Sequence, residues 1–218
     1  IIRHYLKHFI FGGHIFTFKM NQYAMAVILT KDQCNGNHVQ FDLNHDEVQN
    51  TVNGHNVYTG TRLIAAIPHN GVHAEYRLLS GGKISPMQTL IKKAVHNAGE
   101  CIVFFSTYSP CLEKCNKPNG QNNILPFMTV FNGFDNDHKA FVFSSVWDPA
   151  RNHPGVTNPT RQQMLDSFRR IEQHIPLYRC GRIKQNNRWN CIFSFFHSLS
   201  ISLSIPLSLS IPLTLSIP

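Results

Sequence analysis

Two polar motifs each stand at the end of an apolar run, and that placement constrains the fold more than any other feature of the chain. Arg62-Leu-Ile-Ala-Ala-Ile67 is a strand-like run closed by Pro68, and His73-Ala74-Glu75 comes soon after it. Cys101-Ile-Val-Phe-Phe-Ser106 is a second run, followed at once by Thr107-Tyr108-Ser109-Pro110-Cys111-Leu112-Glu113-Lys114-Cys115. Strands with no polar face are buried on both sides. Both runs therefore read as interior strands, and the fold must place a His, a Glu and two Cys where such strands end.

The rest of the chain supplies partners. Tyr23 to Thr30 is apolar and reads as a buried strand, and Val39-Gln-Phe-Asp-Leu43 alternates as an edge strand does. Asn44 to Gly60 is rich in Asn, Gly and His and reads as loop. His73 to Leu79 starts a short helix that ends at Ser80-Gly81-Gly82. A clearer helix follows: Ser85 is an N-cap candidate and Pro86 suits the first helical position. Met87, Leu90, Ile91, Ala94, Val95 and Ala98 share its apolar face, and Gly99 suits the C-terminal cap. Residues 116–123 form a polar loop, 124–131 a short helix and 140–146 a strand. Arg161 to Ile175 is amphipathic, with Met164, Leu165, Phe168, Ile171 and Ile175 on one side and Pro176 as its stop. Strands that pair locally and then alternate with helices predict a three-layer α/β/α sandwich around a mixed sheet, here of five strands.

One His and two Cys match the ligand set of a tetrahedral zinc that keeps a fourth position for water. Cys111 and Cys115 are four apart, which on a helix puts both sulfurs on one face. A helix N-terminus there would favour the thiolate forms. Bound metal brings the pKa of water to about 7. Glu75 lies two residues past His73, near the metal without ligating it, and suits proton transfer. Two plainer readings stand beside this one. The cysteines could hold a structural zinc with His73 and a fourth ligand, or be thiols or disulfide partners in an unrelated fold. A second His-x-Glu, His45-Asp46-Glu47, sits in a polar stretch with no strand leading into it.

His-x-Glu followed by Pro-Cys and a second Cys resembles the zinc-dependent nucleobase deaminases, and most of all their AID/APOBEC-like branch. That branch carries Ser-Trp-Ser-Pro-Cys, and Thr107-Tyr108-Ser109-Pro110-Cys111 keeps the aromatic, the Ser and the Pro-Cys. Val146-Trp147-Asp148 looks like the branch's strand end with an aromatic and an Asp, in a loop that contacts the base beside the target. The resemblance runs over roughly residues 20–180 in element order. It implies a cytidine deaminase-like fold and a hydrolase that converts cytosine to uracil in single-stranded DNA or RNA. Zn2+ would sit on His73, Cys111 and Cys115, with Glu75 as proton shuttle. Tyr108 and Ser109 would adjoin the pyrimidine, and Trp147 would stack on a neighbouring base. Asn56 and Asn70 compete for the asparagine that holds the sugar or base. Two other functions stay open: a deaminase of free cytidine or deoxycytidine, and a secreted nucleic-acid-binding defence protein of innate immunity that keeps the fold without catalysis. Tyr108 and Trp147 also suit plain core positions. The spacer 76–109 is longer than in compact members, and the helix at 86–98 accounts for the excess. Pro118 and Gly120 break early the helix expected after Cys115.

Of the formal net charge of +8, residues 151–218 carry +6. A basic C-terminal part suits a polyanion such as single-stranded nucleic acid, although Arg169-Arg170 also reads as the solvated face of the last helix. Cys34, Cys101, Cys180 and Cys191 stand outside the motif, an even number that allows two disulfides or none. A secreted subset of the branch exists, so an extracellular protein is one expectation and a nuclear or cytoplasmic one the alternative. Residues 198–218 repeat Ser, Leu, Ile and Pro without charge. Prolines at 206, 212 and 218 argue against a membrane span. The expected organisation is an unassigned segment 1–19, a deaminase-like domain 20–192 and a low-complexity tail 193–218.

Overall fold

The computed structural model describes residues 22–36, 43–94, 99–152, 155–182 and 189–193. The segment 1–19, the Val39 strand up to residue 42, and the tail beyond Phe193 lie outside the described residues. A single mixed sheet organises the rest. Its strands are β1 (Ala24–Leu29), β2 (Tyr58–Thr59), β3 (Leu63–Ala66), β4 (Cys101–Tyr108), β5 (Lys139–Ser145), β6 (Leu177–Arg182) and β7 (Trp189–Phe193), in the order β2-β3-β1-β4-β5-β6-β7. β4, β5 and β6 run parallel, and the remaining pairings are antiparallel. The described sheet has seven strands where five were expected: four of the expected ones are β1, β3, β4 and β5. The added ones are the two-residue β2 and the β6–β7 hairpin, whose Arg179, Gly181 and Arg182 interrupt any apolar pattern.

Helices lie on both faces. They are α1 (Lys31–Cys34), α2 (His45–Asn53), α3 (Ala74–Leu79), α4 (Pro86–Ala94), α5 (Pro149–Asn152) and α6 (Arg161–Glu172), with 3-10 turns at Gly82–Ile84, Leu125–Gly133 and Asn136–His138. One core cluster joins Cys34, Val48 and Val52 from α1 and α2 to Met25, Val27, Val103, Phe105 and Val142. The other joins Ala74, Leu78, Leu90, Phe168 and Ile171 from α3, α4 and α6 to Ile28, Ile102, Phe104, Phe141 and Phe143. This is the expected three-layer α/β arrangement.

Helix α2 corrects the reading of Asn44 to Gly60 as loop. Asn44 caps it by accepting from the Glu47 N–H at 3.1 Å, and Asp46 and Glu47 fill its first turn. Those are N-terminal helix signals, and Val48 and Val52, one turn apart, are both fully buried. The polar composition hid a two-residue apolar stripe. Ser85 does cap α4, accepting from the Gln88 N–H at 3.1 Å. Residues 95–98 of that expected helix lie outside the described residues.

The sheet face below α3 carries small side chains, Ala24 and Ala26 on β1 and Ala66 on β3, all fully buried with Ala74 of the helix. Small residues allow close packing of helix on sheet. α3 thereby lies near enough for Glu75 to reach Ser106 on β4.

Four cysteines pair. Cys34–Cys101 links α1 to the start of β4 across 67 residues, and Cys180–Cys191 links directly opposed positions of β6 and β7.

Candidate functional site

β3 and β4 are separated only by β1 in the sheet, and the segments after them bring the two motifs together. His73 is the N-cap residue of α3, but its ring makes no capping hydrogen bond. Its Nδ1 instead lies 3.0 Å from Cys115 Sγ and 3.7 Å from Cys111 Sγ. The two sulfurs are 3.5 Å apart, and all three ligand atoms lie within 4.8 Å of one another. Both cysteines are buried. Among the described residues, no other group of His, Cys, Asp or Glu converges in this way. His45-Asp46-Glu47 opens the exposed first turn of α2, apart from any cysteine pair.

One expectation fails locally. Cys111 and Cys115 do not share a helix; residues 112–119 are a succession of turns. The cysteines converge because the turn folds back, with Asn116 N–H donating to Cys111 C=O at 3.1 Å and Cys115 N–H pointing at Cys111 Sγ at 3.4 Å. A backbone N–H still meets a sulfur, so the thiolate has a local donor without a helix dipole.

The electrostatics suit a cation. Hydrogen bonding with Cys115 pushes the Cys111 thiol down to about 4, against the opposing effect of burial, and His73 adds to the depression. Cys115 moves the other way, first through the same hydrogen bond and then through burial. Both shifts start from the contact between the two sulfurs, and a metal ion displaces the protons of the thiols that ligate it. His73 is raised, chiefly by its hydrogen bond with Cys111.

Glu75 is 1% exposed. Ser106 Oγ donates to its Oε1 at 2.6 Å, and its Oε2 has no hydrogen-bond partner. Burial raises its pKa and the Ser106 bond opposes the rise. A buried carboxylate oxygen without a partner is costly, which suits a group that completes its contacts with a ligand. The donor set of one imidazole and two thiolates is a zinc set, and with the orphaned Oε2 beside it these residues fit that metal.

Tyr108 and Trp147 meet edge-to-face, ring centroids 5.3 Å apart, and both are half-buried. Ser109 is buried and accepts from the Trp147 N–H at 3.0 Å, while its own N–H donates to Ser145 C=O at 2.8 Å. Ser109 therefore ties the β5 exit to the start of the cysteine segment. Asn56 and Asn70 are exposed, and neither hydrogen-bonds to the His73, Cys111 and Cys115 group. Their loops are joined instead by Arg77 of α3, which donates to Ile67 C=O and His55 C=O at 2.6 Å each, and by the stacked rings of His55 and His69. Arg169 is exposed and pairs with Asp166 at 2.6 Å. Arg170 is not on the solvated face: it donates to Asn116 C=O at 3.1 Å.

Three contributors escaped sequence reasoning: Ser106, Asn116 and Asn122. Ser106 had a signal, as the one polar residue in an otherwise apolar run. The asparagines stand in a loop with Asn119 and Asn123 and nothing in the sequence separates them.

A mixed α/β sheet with a His-Cys-Cys group and a buried glutamate at its strand ends defines a deaminase-type scaffold. A model of the family described as Secreted Novel AID/APOBEC-like Deaminase 1 matches residues 2–194, and the chain belongs to that family. No curated protein and no solved structure gives a significant match. The family's description carries the word secreted, and the nuclear or cytoplasmic alternative finds no support. Among the described residues, no helix is long and apolar enough to cross a membrane.

Proposed function

We propose that the protein hydrolyses cytosine to uracil in single-stranded nucleic acid, releasing ammonia, with zinc on His73, Cys111 and Cys115. The observation that carries this reading is the unpartnered, buried Oε2 of Glu75 beside a buried His-Cys-Cys group. Zinc, when bound, supplies Lewis acidity and lowers the pKa of water at the site. Glu75 does the proton work: Oε2 takes one proton from water and passes it to the ring nitrogen, then takes the second from the hydroxyl added to the ring carbon and passes it to the amine, which leaves as ammonia. Ser106 keeps Oε1 engaged, so the free oxygen and the mobile proton coincide. Burial raises the Glu75 pKa above its ordinary value, which suits a group that has to take up a proton as well as release one.

Tyr108 and Trp147 offer aromatic surface at the start of the cysteine segment, suited to stacking on the target base and its neighbour. The basic C-terminal part, +6 within residues 151–218, suits phosphates. We further infer that the protein works outside the cell. The family description and the two disulfides support that, since disulfides persist in oxidising compartments.

The test is zinc content and uracil formation on a cytosine-containing single-stranded oligonucleotide, for wild type and Glu75→Gln. The expected result is about one zinc in each and a loss of at least 100-fold in uracil formation in the variant. Salt-sensitive turnover marks the polymer as substrate. Salt-indifferent turnover of free cytidine alone would replace the polymer with the nucleoside. Zinc with no turnover on any of these would leave a binding protein.

A further inference from the structure

The loop that follows Cys115 takes the place of the expected helix, and it is built as a closed unit. Ile124 N–H donates to Cys115 C=O at 2.8 Å, so the loop leaves and returns beside a candidate ligand. Inside it, Gly120 N–H meets Lys117 C=O at 2.8 Å, Asn123 N–H meets Gly120 C=O at 3.1 Å, and Asn123 Nδ2 donates to Pro118 C=O at 2.6 Å. Two of its asparagines instead reach other elements, and both are buried, Asn116 at 0% and Asn122 at 1% exposure. Asn122 Nδ2 donates to Gly71 C=O at 3.0 Å, and its Oδ1 faces the His73 N–H at 3.4 Å. Asn116 Nδ2 donates to the Ser167 carbonyl of α6 at 2.6 Å and also meets the Ser167 hydroxyl, while Arg170 holds the Asn116 carbonyl.

The segment that Asn122 grips needs support. Asn70 (φ 50°) and Gly71 (φ 75°) both sit in the left-handed region, a strained conformation for the asparagine. That turn leads directly to His73 at the start of α3. On the other side, the cysteine segment has no helical ladder to fix Cys115. The metal ligands come from two irregular pieces of backbone, and Asn122 bonds one to the other.

We propose that Asn122 is a positioning residue for the metal centre. Its side-chain amide clamps the turn before α3 to the loop after Cys115 and so sets the His73-to-Cys115 spacing. Asn116, held by α6, anchors the far end of the same loop. The proposal rests on the metal reading above. Groups behind the ligands tune metal affinity by orienting them.

The experiment uses cobalt(II) as probe on the purified full chain, reading affinity by chelator competition and ligand geometry by visible d–d absorption. Asn122→Ala is expected to weaken binding about 10–100-fold and to alter the absorption bands. Asn123→Ala, which breaks a bond internal to the loop, is expected to change neither. Asn122→Asp keeps the acceptor facing His73 and loses the donor to Gly71, so its affinity falls between wild type and Asn122→Ala. If Asn122→Ala does not fold, Asn122→Asp decides, since wild-type affinity in that variant would overturn the clamp. A lower melting temperature with unchanged cobalt affinity and bands would reduce Asn122 to a structural role and refute the proposal. So would an equal loss in Asn123→Ala. A wild-type chain that takes up no cobalt or zinc overturns the metal reading itself, a result distinct from wild-type binding with an unaffected Asn122→Ala.

Discussion

Opening the Cys34–Cys101 bridge should cost the domain more than opening Cys180–Cys191, by an amount set by their loops. A cross-link removes closure entropy from the unfolded chain in proportion to the logarithm of the enclosed length. The separation of 67 residues gives about 4.4 kcal/mol for the first bridge. The separation of 11 gives about 2.8 kcal/mol for the second. The perturbations are Cys34→Ala with Cys101→Ala, and Cys180→Ala with Cys191→Ala, so each variant loses two sulfurs and their packing losses largely cancel in the difference. Guanidinium unfolding at equilibrium should place the first variant about 1.6 kcal/mol below the second. The loop that Cys34–Cys101 closes contains His73 and Glu75 and ends on the strand leading to Cys111. That variant should therefore also bind zinc less tightly, because an unfolded competitor is more populated. Equal losses, or a larger loss from the short loop, would refute the claim that these bridges act through the unfolded chain.

Two further outcomes follow from particular contacts. Gly120→Ala puts a methyl group into the Lys114 backbone, so something between the two cysteines must shift. A stability loss of about 1–3 kcal/mol and weaker cobalt binding are expected, measured by thermal unfolding and chelator competition. Burial raises the Tyr23 pKa above its ordinary value of 10.0, so the neutral phenol is favoured in the folded state. The stability tied to it is intact below pH 10 and is lost as pH rises above that, at up to about 1.4 kcal/mol per pH unit. Tyr23→Phe should lose less stability than wild type between pH 10 and 11, and identical slopes would show that this phenol is not the group responsible.

The interior strands were legible because their physics is local. β1 and β3 have no polar residue, β4 and β5 each hold at least four consecutive apolar residues, and burial on both faces leaves little else for such runs to do. The His73, Cys111 and Cys115 group was legible for a chemical reason: few jobs require a His and two Cys where strands end. What stayed hidden depends on tertiary partners. Val48 and Val52 mark α2 only once a sheet is there to receive them. β6 carries two arginines and a glycine, β7 is a short run broken by Asn190, and the pairing of Cys180 with Cys191 becomes visible only in register. Ser106, Asn116 and Asn122 are ordinary polar residues whose importance lies in what they touch. The turn structure between Cys111 and Cys115 also escaped, because a four-residue spacing fits a helix and a folded-back turn equally well.

The 3.5 Å approach of Cys111 and Cys115 bears on how the protein is made. A chain maturing where Cys34, Cys101, Cys180 and Cys191 become oxidised presents two more thiols to the same oxidant, and folding brings them into contact. Metal loading and oxidation then compete for one pair of atoms. On the zinc reading, a chain that met zinc first would end with two bridges and a loaded site, and a chain that met oxidant first would end with three bridges and none. The share of chains with Cys111 and Cys115 still reduced would record that race, readable by counting free thiols after treatment with a chelator.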